Sequence, residues 1–119
     1  MADKRWQIWC RVVDNFGDIG VCWRLARQLH HNYNAAVTLW VDDLATFARL
    51  HSAVQHAPLQ SVEGVTVCHW TEATVSAPEA DVVIEAFACE LPATVVAAMR
   101  QQQPPPLWLN LEYLSAEAG

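Results

Sequence analysis

Apolar positions along the chain follow two rhythms. Trp6 to Val13 is a mostly apolar run of strand-favouring residues, as a strand buried on both faces of a parallel sheet requires. Beyond it the period changes. Ile19, Cys22, Leu25, Ala26 and Leu29 recur at helical spacing, with Arg24, Arg27 and Gln28 between them, and predict a helix to about His31. Asp18 stands where the N-cap of that helix is expected, and Asn32-Tyr33-Asn34 closes it. Ala36 to Val41 predicts a second strand ending in Asp42-Asp43, and Leu44 to Leu50 a short helix.

The second half is more broken. His51 to Gly64, which contains Pro58, predicts a polar loop, and Val65 to Trp70 a short strand at a sheet edge. Thr71 to Glu79 predicts another polar loop. Asp81 to Glu85 is a compact buried strand, and Ala86 to Glu90 leads from it to a helix with Pro92 near its first turn. That helix runs to about Arg100. Gln101 to Gln103 and the prolines at 104–106 end it, Leu107 to Asn110 is the last strand, and Glu112 to Glu117 trails off. The order βαβαββαβ predicts an α/β fold, a doubly wound and mostly parallel sheet, as one domain over residues 1–119.

Composition narrows the class. At 53% hydrophobic and 17% charged the chain is too apolar for disorder. No apolar run reaches membrane-spanning length, and Met1 to Arg5 leads into no signal-peptide core, so a cytoplasmic protein without membrane contact is expected. Cys10, Cys22, Cys68 and Cys89 lack CxxC spacing and read as buried thiols in a reducing compartment. The tryptophans are expected mostly in the core, with Trp40 and Trp108 inside strands and Trp23 on the first helix. His30, His31, His51 and His56 are expected at the surface. Cys68-His69 alone is no metal signature, so no metal site is expected. A net charge of −6 argues against nucleic acid and suits a basic partner or a cationic substrate.

Open parallel sheets bind ligands beyond the carboxyl ends of their strands. Acids recur there: Asp14 and Asp18 after the first strand, Asp42 and Asp43 after the second, Glu85 and Glu90 around the loop after the fourth, and Glu112 after the last. Such an edge suits a guanidinium, which carboxylates bind bidentately. Each acid also has a plainer reading. Asp18 fits a cap, Asp42-Asp43 a cap and a solvated neighbour, and Glu85 the partner of a backbone N–H. No GxxxxGK[ST] or GxSxG occurs, and Gly17-Asp18-Ile19-Gly20 is not GxGxxG, so the common phosphate and hydrolase signatures are missing.

Residues 10–27, with Asp14-Asn15-Phe16-Gly17-Asp18-Ile19-Gly20 at their centre, resemble the EarP family, together with residues 81–92 and 107–117 and the shorter Leu39-Trp40-Val41-Asp42-Asp43-Leu44. These are the protein-arginine rhamnosyltransferases of bacterial elongation factor P. The resemblance implies the N-terminal Rossmann-like domain of a GT-B glycosyltransferase. Such an enzyme transfers L-rhamnose from dTDP-β-L-rhamnose to one arginine of elongation factor P, inverts the sugar carbon, and uses no metal or cofactor. It implies Asp18 as general base and Asp14 as a second essential acid. Asn15, Phe16, Gly17, Ile19 and Gly20 would shape the loop around the substrates, and Glu85 and Glu112 are further candidates from their strand-end positions. The match spans the opening part of a family member, so the expected piece is the acceptor-side domain. The donor-binding half would be absent and the piece inactive alone. A non-catalytic module that binds elongation factor P or another basic partner is the alternative, and a flavodoxin-like domain without activity a third reading.

Overall fold

The computed structural model describes residues 4–12, 16–71, 73, 79–87 and 89–111. Nine elements follow in order: β1 (Arg5–Cys10), α1 (Gly17–Tyr33), β2 (Ala36–Val41), α2 (Leu44–Leu50), β3 (Leu59–Val62), β4 (Val65–His69), β5 (Val82–Ala86), α3 (Ala93–Gln101) and β6 (Leu107–Leu111). The strands form one sheet in the order β3-β4-β2-β1-β5-β6, parallel throughout except for the antiparallel β3–β4 pair. This is an α/β fold with a mostly parallel sheet, as the alternation of periods predicts.

β1 is central because both of its faces are apolar enough to be covered. Ile8 and Cys10 point to one side, Gln7 and Trp9 to the other, and all four are buried. On the first side, Ile19, Cys22, Trp23 and Ala26 of α1 and Phe47 of α2 pack over Val37, Leu39, Val67 and Ile84. On the second, Val95 and Met99 of α3 pack with Val83, and Trp9 stacks on Trp40 with centroids 4.5 Å apart and meets Trp70 edge-on at 5.5 Å. The Trp9 indole donates to buried Gln7 Oε1 at 3.1 Å, which satisfies both polar groups. All four cysteines are free and buried, as expected. Among the described residues no helix is long and apolar enough to cross a membrane.

Four expectations are corrected. The stretch 51–64 is not all loop, because Leu59–Val62 forms β3 and pairs back on β4 through a two-residue turn. Glu63 and Gly64 in that turn have φ of 50° and 85°, the left-handed pair that matches the twist of a hairpin. β4 is therefore interior, and β3 takes the edge. Asp18 is not the N-cap of α1. The helix starts two residues earlier than expected, at Gly17 with Phe16 as its cap, where no side chain bonds, and Asp18 lies inside the first turn. Trp108 is 40% exposed, because β6 is the other edge of the sheet.

Candidate functional site

Parallel strands bring their carboxyl ends to one edge, where connecting loops can converge side chains. The connection leaving β1 goes to α1 on the Ile8 face, while that leaving β5 goes to α3 on the Trp9 face. β1 and β5 are neighbours, so the winding reverses between them. That reversal is where open α/β sheets hold ligands.

Asp18 stands beside this point and is only 4% exposed. A buried carboxylate needs partners or a favourable field. The first turn of α1 supplies the field, being the positive end of the helix, and Asp18 is not left without interactions. Around it, Phe16 is 40% exposed with the Arg49 guanidinium 5.7 Å over its ring, and Gly17 is exposed. Ile19 is fully buried in the core. Gly20 is half-buried, and a Cβ there would meet only the Leu50 side chain at 3.9 Å. Asp14, Asn15 and Glu112 lie outside the described residues.

The end of β1 is gripped from every neighbouring element. The Trp9 carbonyl accepts from the Cys89 thiol at 3.5 Å, and the Cys10 carbonyl from the Trp70 indole at 3.0 Å. Arg11 donates through Nε to the Cys89 carbonyl at 3.0 Å while its guanidinium lies 5.2 Å over the Trp70 ring. The Val12 amide donates to Asp42 Oδ1 at 2.7 Å. The Cys10 thiol is pushed well above the ordinary range, first by its hydrogen bond with Cys22, then by burial, and then by the nearby charges of Asp18 and Asp42.

The remaining acids are engaged structurally. Asp43 caps α2, its Oδ1 accepting from the Thr46 amide at 3.0 Å and its Oδ2 from the Thr46 hydroxyl at 2.7 Å. Those bonds hold its carboxyl below the ordinary value. Asp42 is shifted upward, because burial outweighs the bond from Val12. It is not the solvated neighbour that its sequence position suggests. Glu85 accepts from the Glu90 amide at 2.9 Å and the Trp108 indole at 3.2 Å. Asp42, Asp43, His56 and His69 line an open cleft of ≈ 380 Å³. Among the described residues no three His, Cys, Asp or Glu side chains are grouped as metal ligands.

Sequence reasoning named Asp18 but passed over Arg11, His69, Trp70 and Cys89. Their side chains bond backbone carbonyls, of Trp9 and Cys10 in β1 and of Asp42 and Cys89 in the connections, and no residue spacing encodes such contacts.

Comparison with known proteins gives a consistent match. Residues 6–118 match the family described as "Elongation-Factor P (EF-P) rhamnosyltransferase EarP". The chain is 58% identical over 113 residues to a protein-arginine rhamnosyltransferase of Pseudomonas putida, covering 94% of this chain and 30% of that protein. It is 56% identical to the corresponding protein of Pseudomonas aeruginosa with the same coverage. With that of Shewanella oneidensis it shares 49% over 121 residues, covering 96% of this chain and 31% of that protein. The chain thus spans about 30% of the length of the relatives it matches.

Proposed function

The chain belongs to the EarP family of elongation-factor P rhamnosyltransferases, and from that premise we propose that it is the acceptor-side, Rossmann-like domain of an inverting GT-B glycosyltransferase. In this reading L-rhamnose passes from dTDP-β-L-rhamnose to an arginine of elongation factor P. The donor is held mainly by the part of the relatives that lies outside the match, and no cofactor takes part. The observation that carries the reading is Asp18, a buried acid in the first turn of α1, beside the reversal of the sheet and within the residues that match the family.

The chemistry demands such a group. An arginine guanidinium stays protonated up to a pKa above about 12 and is a poor nucleophile. A carboxylate can bind it, hold one nitrogen in line with the sugar carbon, and take its proton as the bond forms. The nitrogen–carbon bond forms as the bond from carbon to the diphosphate oxygen breaks, and the electron pair leaves with dTDP. Asp18 is the base in this scheme, placed in the first turn of α1. Asp14 orients the guanidinium, and Asn15, Phe16, Gly17 and Gly20 shape the approach. Ile19 supports from the core. Glu85 and Glu112 are secondary candidates, by their positions at strand ends in the sequence.

The test is to combine the chain with the portion that completes its relatives, add elongation factor P and dTDP-β-L-rhamnose, and look for one deoxyhexose on an arginine. Asp18→Asn abolishes the transfer while the circular dichroism spectrum is unchanged. Activity retained in Asp18→Asn removes the base assignment. The chain alone is expected to bind elongation factor P without turnover, seen as amide shifts on titration. An absence of shifts at saturating acceptor rules out the binding role.

A further inference from the structure

A parallel ladder has a fixed continuation. Once the Asp42 amide bonds the Cys10 carbonyl, the next donor of the first strand, the Val12 amide, should bond the Asp42 carbonyl. It does not. Val12 donates to the Asp42 side chain at 2.7 Å, and the Asp42 carbonyl accepts from His69 Nε2 at 3.0 Å. A carboxylate has replaced a peptide carbonyl for one step, which lets the strands part while the amide stays satisfied. His69 stands opposite Val41 at the end of β4, so one chain of contacts runs across three adjacent strands, from β4 through β2 to β1.

Resting on the function proposed above, we infer that Asp42, steadied by His69, is a positioning residue that fixes the end of β1 and thereby the place of Asp18. Val12 lies on the connection from β1 to the helix that carries Asp18, and the Asp42 carboxylate holds its amide. Asp18 and Asp42 both lie near enough to the Cys10 thiol for their charges to raise it. The expectation of a solvated Asp42 misses this, because the bond it makes is to a backbone atom of another strand.

Amide exchange on the isotope-labelled chain, paired with kinetics in the completed enzyme, tests the assignment. In Asp42→Ala the Val12 amide should exchange about tenfold faster or more, with displaced Asp18 resonances and unchanged protection at Ile8 and Leu39. Asp42→Asn keeps an acceptor oxygen and should stay near wild type. In the completed enzyme Asp42→Ala should lower kcat about tenfold with the acceptor KM little changed, and Asp42→Asn should recover most of it. Wild-type Val12 protection in Asp42→Ala, an unchanged kcat, or equal losses in both variants overturns the inference. If the completed wild type makes no rhamnosyl-arginine, the proposed function falls instead. Val12 protection and the Asp18 resonances then decide whether Asp42 positions the helix.

Discussion

Glu85 holds the indole N–H of Trp108 through Oε1 at 3.2 Å and the amide of Glu90 through Oε2 at 2.9 Å. One carboxylate thus ties β5 to the edge strand β6 and to the loop entering α3, where Glu90 itself has a φ of 59°. Glu85→Ala should cost about 1 kcal/mol in chemical denaturation and shift the Trp108 indole resonance, and Glu85→Gln should cost less because one acceptor remains. An unmoved indole resonance, together with weakened acceptor binding at native stability, would return Glu85 to a substrate role.

Asp43 is the one helix cap in the described chain with side-chain bonds to its own helix, both to Thr46. Asp43→Ala should lower stability by about 1 kcal/mol, and Asp43→Ser should restore most of it. Stability in urea, read at unchanged m-value, decides the matter. An Asp43→Ala protein as stable as wild type removes the cap from the account.

Much of this was legible in the chain. Buried strands such as Ile8 to Cys10 and Val82 to Ile84 announce themselves, because a strand covered on both faces must be apolar without interruption. The helix of Ile19, Cys22 and Ala26 does so by its period. β3 was hidden because Leu59–Val62 is a four-residue edge strand that is largely exposed, and its turn uses Glu-Gly rather than Asn-Gly. Asp18 was identified as a site candidate but misplaced as a cap, since an acid in the first turn and an acid at the cap answer the same helix field. Asp42 shows the harder limit. Its neighbour Asp43 took the cap, and what remained for Asp42 was settled by where β1 and β4 lie.

Acid should destabilise the fold through its depressed carboxyls. Glu63 is held below the ordinary 4.5 chiefly by its hydrogen bond with His51, and Asp81 below 3.8 chiefly by that with Arg5. Asp43 is lowered by Thr46. A depressed carboxyl contributes stability above its unfolded pKa and loses it as pH falls through the folded value. Unfolding is therefore expected to set in below about pH 4, with exposure keeping each single contribution modest. His51→Ala should move the Glu63 titration, followed by carboxyl carbon shifts, back toward 4.5. A Glu63 titration indifferent to His51 refutes the pairing.

The buried thiols should be inert while the chain is folded. Cys89 is pushed up to about 12, first by burial and then by the charge of Glu85, and Cys68 is raised by burial. At pH 8 a thiol of pKa about 12 is ionised in on the order of one molecule in ten thousand, against roughly a quarter for an ordinary cysteine. A thiol-exchange reagent should find all four cysteines only after denaturant is added. Fast labelling of Cys89 in the native chain contradicts its placement.

Asp42 should behave opposite to the other acids. Burial raises its carboxyl despite the bond from Val12, so its contribution to stability is fully present below the unfolded value of 3.8 and is lost as pH rises through the higher folded one. Asn at this position keeps the acceptor oxygen for Val12 without the buried charge. Relative to wild type, Asp42→Asn should therefore gain stability as pH rises from 3 to 7, measured as the difference between two denaturation series at matched salt. A difference that moves the other way means that the charged bond to Val12 outweighs the cost of burial, and the carboxylate then holds the end of β1 by its charge as well as by its geometry.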